Sequence, residues 1–552
     1  MALSTPLTQQ AVSPLYLTAV LLVAVFLFLF VQSKRARLGH IPGPWLAKYT
    51  NLWRGYQAWR LNHHNEGVNN YQINMIGRYG DVVRIGPKHV LVYDPEAIDT
   101  IYGFRERLDK AKLTRNQSEQ GPGYQVFVMT GTDQTALVSI KDEKTHGAYR
   151  RPIAHAYSLS SLKGYEPYID ETIEKLIKEL DKHDADGTPI NMTRWLQYCE
   201  FNILPNLACG VQHLTLAQGA FDVMSKISFG EPLGFLDHGY DFNGMIQAQR
   251  ENFRYISVAN NFPLLDTLTK RNPLLKWFTK KPSMFFTFAR RVVSERLAKA
   301  SKDPEAQSQS RRHEDLLGSF IAARKAYPLM TDLRITHLTA TNVLAGANNS
   351  ARAMDATIHW LTEHPEAQER LNNEIRSVNM AAMKEVDTEG PAALELALKM
   401  PYLDAVIQES YRQFGAPANN LERVAGKSGL TLPNGTHLPP GTVIAMNAAS
   451  MAMLPHIFGK DARVFNPERW MQQKGESEDE FRERRLRMQR SMLVFGHGSR
   501  SCIGKNIVQL ELYKIWATLL RIYKFEPAEV KLHQVMAIPR RREQRTEKSV
   551  EI

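Results

Sequence analysis

The chain has 552 residues, 43% hydrophobic and 23% charged, with a formal net charge of +12 and three cysteines. That length buries a large core and exceeds one domain of ordinary size, while so few cysteines exclude a disulfide framework and fit a reducing compartment. The basic residues are dispersed and no nucleic-acid motif accompanies them, so a membrane surface or an acidic protein partner accounts for the charge better than nucleic acid does.

In chain order, the first predicted element is an apolar run from Leu15 to Val31, seventeen residues without a charge, at the lower edge of spanning length. Lys34, Arg35 and Arg37 follow it. Positive-inside logic therefore puts residues 1–14 in the lumen and everything after the anchor in the cytosol. A cleaved signal peptide is the rival reading, but no charged side chain precedes Leu15. Residues 32–46 are a basic, proline-rich break containing Ile41-Pro42-Gly43-Pro44-Trp45, and residues 47–552 form the globule. Residues 80–93 predict two short strands around a Gly86-Pro87 turn. Cys199 and Cys209 fall in an apolar helical stretch and read as core, and residues 300–314 read as a polar surface loop.

The longest predicted helix runs from Thr331, a capping residue, to His364, just before Pro365; it spans roughly 50 Å. Its centre, Leu344-Ala345-Gly346-Ala347-Asn348-Asn349-Ser350, is rich in small residues, which points to close packing by a helix or a ligand. A further helix over 401–414 carries Glu409 and Arg412, three apart on one face and able to pair. Residues 471–490 hold Arg482, Arg484, Arg485, Arg487 and Arg490. A last helix over 506–523 precedes a basic tail, Arg540 to Lys548, expected to fray.

The segment just before that last helix carries the chemistry. Phe495-Gly-His-Gly-Ser-Arg-Ser-Cys-Ile-Gly504 places Cys502 in a glycine-bounded loop, two residues after Arg500. A thiolate needs a metal or a cation, with backbone N–H groups to hold its sulfur. The helix that follows turns its positive dipole end toward that sulfur.

The pattern Phe-x-x-Gly-x-Arg-x-Cys-x-Gly, matched at Phe495, Gly498, Arg500, Cys502 and Gly504, resembles the haem-binding loop of the cytochrome P-450 superfamily. Glu409 and Arg412, with Arg469 of Phe465-Asn-Pro-Glu-Arg-Trp470, resemble the family's structural Glu-x-x-Arg network. His146 and Arg150 resemble its Trp-x-x-x-Arg pair, with histidine in place of tryptophan. The resemblance implies a mainly α fold: a large helical domain with a small β-rich N-terminal part, preceded by one transmembrane helix. It implies haem b with Cys502 as axial thiolate, and Arg500, Arg423, His146 and Arg150 as partners of the propionates. Ala345 and Gly346 would form the haem face of the long helix. The substrate pocket would draw on parts of residues 109–140, 205–260, 343–350 and 416–422.

The implied activity is monooxygenation of an apolar small molecule in a microsomal, endoplasmic-reticulum enzyme of fungal specialised metabolism. The chain has no Gly-x-Gly-x-x-Gly fingerprint, so NADPH would act through a separate membrane-bound flavoprotein reductase. That partner would dock on the arginine-rich run and Lys505, and charge reversal at Arg484 and Arg485 would slow reduction in a salt-dependent way. Two departures from the family stand out. Its acid–threonine pair is replaced by Asn348 and Asn349, followed by Ser350, and asparagine does not titrate. This keeps desaturation or rearrangement open, together with an oxygen-independent isomerase or dehydratase and a non-catalytic haem sensor. The C-terminal hairpin is also short, with residues 526–539 available before the tail and Gln534–Ile538 left to line the pocket. Zinc-hydrolase and serine-hydrolase readings fail for want of His-Glu-x-x-His and Gly-x-Ser-x-Gly.

Overall fold

The computed structural model describes residues 14–57, 68–103, 136–186, 190–191, 216–238, 244–262, 268–269, 272, 274, 284–302, 315–382, 390–414, 420–527 and 536–542. Helix α1, Pro14–Arg35, is 22 residues long, about 33 Å. It continues past the predicted end at Val31 to take in the flanking Lys34 and Arg35. Its apolar side chains are turned outward: Tyr16, Leu22 and Phe28 are at least 60% exposed. Among the described residues it is the one helix long and apolar enough to cross a membrane, as expected of an anchor.

The segment after α1 is fastened to the globule. Strands β1 (Val82–Arg84) and β2 (His89–Val92) pair antiparallel around the expected turn. From β1 the buried Arg84 reaches back, donating to the carbonyls of Ser33, Leu38 and Lys48 and to the hydroxyl of Ser33. The Arg84 N–H also donates to Pro42 O. Leu38 and Ile41 are buried in the core around this sheet. A Cβ on Gly43 would overlap the Arg84 carbonyl oxygen, so only glycine lets the Pro-Gly-Pro segment lie against the strand.

Short helix α2 (Ala97–Tyr102) and helix α3 (Glu143–Arg150, capped by Asp142) approach the cysteine loop. The main core is helical. It is built from α4 (Glu166–Asp186), α5 (Leu216–Phe229), α6 (Met284–Lys302) and the 32-residue α7 (Asp332–Glu363). Thr331 caps α7 as expected, its hydroxyl accepting from Arg334 N at 3.2 Å. Helices α8 (Pro365–Ala382) and α9 (Pro401–Phe414) follow. Strand β3 (Ile190–Asn191) belongs with the C-terminal hairpin, while β4 (Arg423–Val424), β5 (Leu430–Thr431), β6 (His437–Leu438) and β7 (Val443–Ala445) form the other small sheets, the larger in the order β1-β2-β7-β4 with β2 and β7 parallel.

The arginine-rich run is a helix, α10 (Glu478–Ser491), started by a capping box between Ser477 and Glu480. Helix α11 (Lys505–Ile522) is apolar on nearly every side from Leu510 to Leu520 and is correspondingly buried. The start of the segment expected to fray is ordered, and residues 543–548 of it lie outside the described residues. Strands β8 (Tyr523–Pro527) and β9 (Met536–Arg541) pair antiparallel, so Arg540 and Arg541 are strand residues and Arg541 pairs with Asp181. The hairpin thus forms despite its length. Cys199, Cys209 and the loop 303–314 lie outside the described residues.

Gly43→Ala is expected to lower stability by about 1–3 kcal/mol, because the added methyl forces the segment off β1. A thermal melt of the purified protein measures this; an unchanged midpoint contradicts the packing.

Candidate functional site

The cysteine loop is pinned from three elements. Gly498 has φ +65°, and a Cβ there would overlap the Tyr102 carbonyl at the end of α2; a left-handed backbone against another main chain leaves room only for glycine. Arg500 donates Nε to Glu143 at 2.6 Å, Nη1 to Ile140 O at 2.7 Å and Nη2 to Lys141 O at 3.2 Å. Arg150 of α3 donates to Ser501 O at 2.7 Å. Phe495 stands edge-on to Tyr411 of α9, ring centres 5.3 Å apart, and its carbonyl accepts from Cys502 N at 2.7 Å.

Cys502 itself is exposed, so its sulfur faces open space although protein encloses the loop. That enclosure pushes its thiol up from the ordinary value, while the backbone N–H groups of Gly504 and Lys505 and the charges of Arg150 and Lys505 draw it back down. A bound metal would deprotonate it outright. Among the described residues no group of three or more His, Cys, Asp or Glu could hold a metal. One thiolate therefore suits a metal whose remaining ligands arrive with a prosthetic group.

The residues present fit a porphyrin. A Cβ on Gly504 would meet nothing within 4 Å, so the loop leaves space beside the sulfur. Arg423 is buried, lies over the Tyr102 ring at 4.8 Å and donates Nη1 to Glu422 O. Its Nε and Nη2 make no hydrogen bond among the described residues, and Arg150 likewise keeps donors beyond the one given to Ser501. These two arginines suit carboxylates. Arg500 gives three of its five N–H groups to Glu143, Ile140 O and Lys141 O, so it clamps the loop whatever else it holds. His146 is buried on the α3 face shared with Arg150.

On α7, Ala345 and Asn349 are exposed, and Asn349 Nδ2 donates to Ala345 O at 2.8 Å. Gly346 is turned the other way. A Cβ there would overlap the Met224 side chain of α5, so its smallness serves helix packing rather than the expected cofactor contact. Ser350 is fully buried and points away from the exposed face. The side chain of Asn348, and most of segments 109–140, 205–260 and 416–422, lie outside what is described.

Beneath the loop sits the Glu-x-x-Arg network. Glu409 is wholly buried and accepts five hydrogen bonds: Arg412 Nε and Nη2 at 2.8 and 2.7 Å, Arg469 Nε at 3.0 Å, Trp470 Nε1 at 2.9 Å and Asn466 N at 2.9 Å. Arg412 also donates to the carbonyls of Ala452, Ala462 and Val464. Sequence reasoning missed Trp470 and Asn466, although both stand in the segment that supplies Arg469.

Two arginines of α10 are internal fasteners. Arg484 chelates Glu476 and caps the carbonyls of Arg469 and Met471; Arg485 pairs with Asp404 of α9. Two of the expected docking cations, Arg484 and Arg485, are therefore already engaged by the chain's own acids and carbonyls.

Among known proteins, the Cytochrome P450 family model matches residues 50–539. The chain is 30% identical to a cytochrome P450 monooxygenase of Aspergillus terreus over 92% of its own length and 95% of the relative's. It is 32% identical to the cytochrome P450 monooxygenase cicH of Emericella nidulans, with 92% and 93% covered. Identity to the cytochrome P450 monooxygenase vrtE of Penicillium aethiopicum is 27%, with 93% and 90% covered.

Glu409→Ala leaves the buried Arg412 without its acid, and Arg469 with Asp461 alone, and is expected to cost about 3–5 kcal/mol, read as failure to fold at growth temperature or a collapsed melting midpoint. Arg484→Glu and Arg485→Glu are expected to lower the melting midpoint at every ionic strength. Intact stability with salt-dependent slowing of reduction would restore the docking role.

Proposed function

The chain belongs to the cytochrome P450 family, and from that we propose that it is a membrane-anchored monooxygenase of fungal specialised metabolism, with its catalytic domain on the cytosolic face of the endoplasmic reticulum. As a family member it is a haem-thiolate enzyme that draws electrons from NADPH through a reductase and acts on a small molecule. The observation that carries the fuller reading is the single exposed Cys502 sulfur, with backbone N–H groups at Gly504 and Lys505, in a loop clamped by Arg150 and Arg500.

Cys502 would hold the haem iron, with Arg150 and Arg423 beside the propionates and His146 supporting α3. Bound haem supplies oxygen activation, and a thiolate ligand favours O–O cleavage. The chain's own residues orient and protect. Glu409, Arg412 and Arg469 hold the floor of the loop still. Ala345 presents a small apolar surface from α7, so a reactant can approach that helix closely. Asn349 ties its amide back to Ala345 O and leaves Oδ1 able to accept a hydrogen bond from an ordered water. That amide cannot give up a proton at neutral pH, so Asn349 positions water rather than acting as an acid.

α1, with its outward apolar side chains and the cations at its C-terminal end, supports the membrane assignment and the cytosolic orientation. The relatives named above are fungal monooxygenases; this favours an apolar specialised metabolite over a housekeeping sterol or fatty acid.

Two measurements test this. Microsomes containing the chain and a reductase should consume NADPH and dioxygen in the presence of substrate, and product should carry one atom of labelled dioxygen; product formed without NADPH would establish the isomerase or dehydratase reading. Asn349→Ala should raise NADPH consumed per product several-fold with binding unchanged. Unaltered coupling would remove Asn349 from the oxygen side.

A further inference from the structure

A cation that is to meet a carboxylate at a fixed place has to be aimed. Arginine is long and loses much rotamer freedom when held, and the two-residue strand β4 gives Arg423 little to lean on. Two groups hold its guanidinium: the Glu422 carbonyl, which accepts from Nη1 at 2.9 Å, and the Tyr102 ring, with its centre 4.8 Å away. Glu422, the neighbouring acid in the chain, is buried and paired with Arg54 at 3.0 Å. Nε and Nη2 of Arg423 make no hydrogen bond among the described residues.

Tyr102, 4% exposed, does more than fill the space against Arg423. β4 pairs antiparallel with β7, Arg423 opposite Ile444 and Val424 opposite Val443. Run two residues back, the same register sets Leu421 opposite Met446. In a regular ladder such a pair exchanges two hydrogen bonds. One is present: Leu421 N donates to Met446 O at 2.9 Å. The other is routed through a side chain. Met446 N donates to the Tyr102 hydroxyl at 2.8 Å, and that hydroxyl donates to Leu421 O at 2.6 Å. A tyrosine from α2 thus stands inside a rung between the two strands, close to Arg423, and sets how far apart they lie there.

The main chain of Tyr102 meets the cysteine loop. α2 spans only Ala97–Tyr102 and closes with Gly103 N donating to Asp99 O. The Tyr102 carbonyl lies where a Cβ on Gly498 would be. One turn back, Asp99 Oδ1 pairs with His497 Nε2 at 2.8 Å. α2 therefore touches the loop by main chain and reaches the strand pair by side chain. Phenylalanine at this position would keep the ring but leave Met446 N and Leu421 O without the hydroxyl. Either these groups stay unpaired, or the rung closes on itself and the strand bearing Arg423 shifts.

We propose that Tyr102 is the positioning residue of the propionate side of the site. Its hydroxyl spaces the strands, its ring supports the Arg423 guanidinium in a desolvated setting, and its carbonyl backs the loop that presents Cys502. The cation for a carboxylate and the thiol for a metal lie far apart in the chain. They are set relative to one another through one residue of a third element. Tyr102 acts through Arg423 rather than on reacting atoms, and no bond is made or broken.

This inference rests on the haem-thiolate reading, and the test keeps the two apart. Purified holoenzyme is compared by two readouts besides turnover: the propionate bending band in the resonance Raman spectrum, and the rate at which haem passes to excess apomyoglobin. Tyr102→Phe should shift the band and hasten transfer while keeping the thiolate signature of the reduced carbon monoxide complex. Tyr102→Leu, which also lacks the ring, should hasten transfer about tenfold, the factor for a desolvated cation–ring contact. In an Arg423→Gln background Tyr102→Phe should move neither readout, because no guanidinium is left to aim. An unmoved band and rate in Tyr102→Phe, or an equal effect in the Arg423→Gln background, would overturn the positioning role alone. Should Tyr102→Phe be isolated without haem, far-ultraviolet circular dichroism decides. The helix content of wild-type protein stripped of haem would place the defect at the haem site, as proposed; a lower content would make Tyr102 a support of the core and overturn the proposal. A wild-type protein without the thiolate signature would overturn the functional reading as well.

Discussion

A sulfur that is to hold a metal has to face open space while everything behind it stays still. Cys502 meets that constraint through a loop with almost no freedom left. Gly498 fits against Tyr102 only for want of a side chain, Arg500 grips the start of α3, and Arg150 grips the loop from the other direction. The backbone N–H of Cys502 is closed onto Phe495, and the N–H groups of Gly504 and Lys505 are turned to the sulfur. The loop's rigidity comes from contacts made by its neighbours, because glycine contributes none of its own.

The same economy of contacts holds at larger scale. Several buried charges among the described residues are matched by more than one donor or acceptor at once, which is the condition under which they do not destabilise the fold. Glu409 receives five donors, Lys514 two carboxylates and a carbonyl, and Arg84 a set of carbonyls from the end of the anchor and the segment after it. The last of these joins the end of α1 to the first sheet.

Much of the fold was legible where local patterns decide it. Thr331 and Pro365 bracket α7, Gly86-Pro87 marks the first turn, and Glu409 with Arg412 lies where a three-residue spacing puts it. The cysteine loop was legible because a metal-binding thiol demands several particular residues within ten positions. What stayed hidden depends on distant partners. The acids that engage Arg484 and Arg485 lie 8 and 81 positions away, so those arginines read as a free patch. Arg84 looks like an ordinary strand cation until the anchor returns to it. Gly346 suggested a ligand, but the close neighbour is Met224, more than a hundred residues earlier.

The account turns on the bond at position 502. Reduction of the purified protein under carbon monoxide, with the absorption spectrum recorded for wild type and for Cys502→Ala, tests it most directly. The wild type should give the strongly red-shifted Soret band of a thiolate-ligated ferrous complex, and the variant should lose it or lose haem altogether. A wild-type spectrum typical of imidazole ligation, or a Cys502→Ala protein that keeps the shifted band, would contradict the assignment.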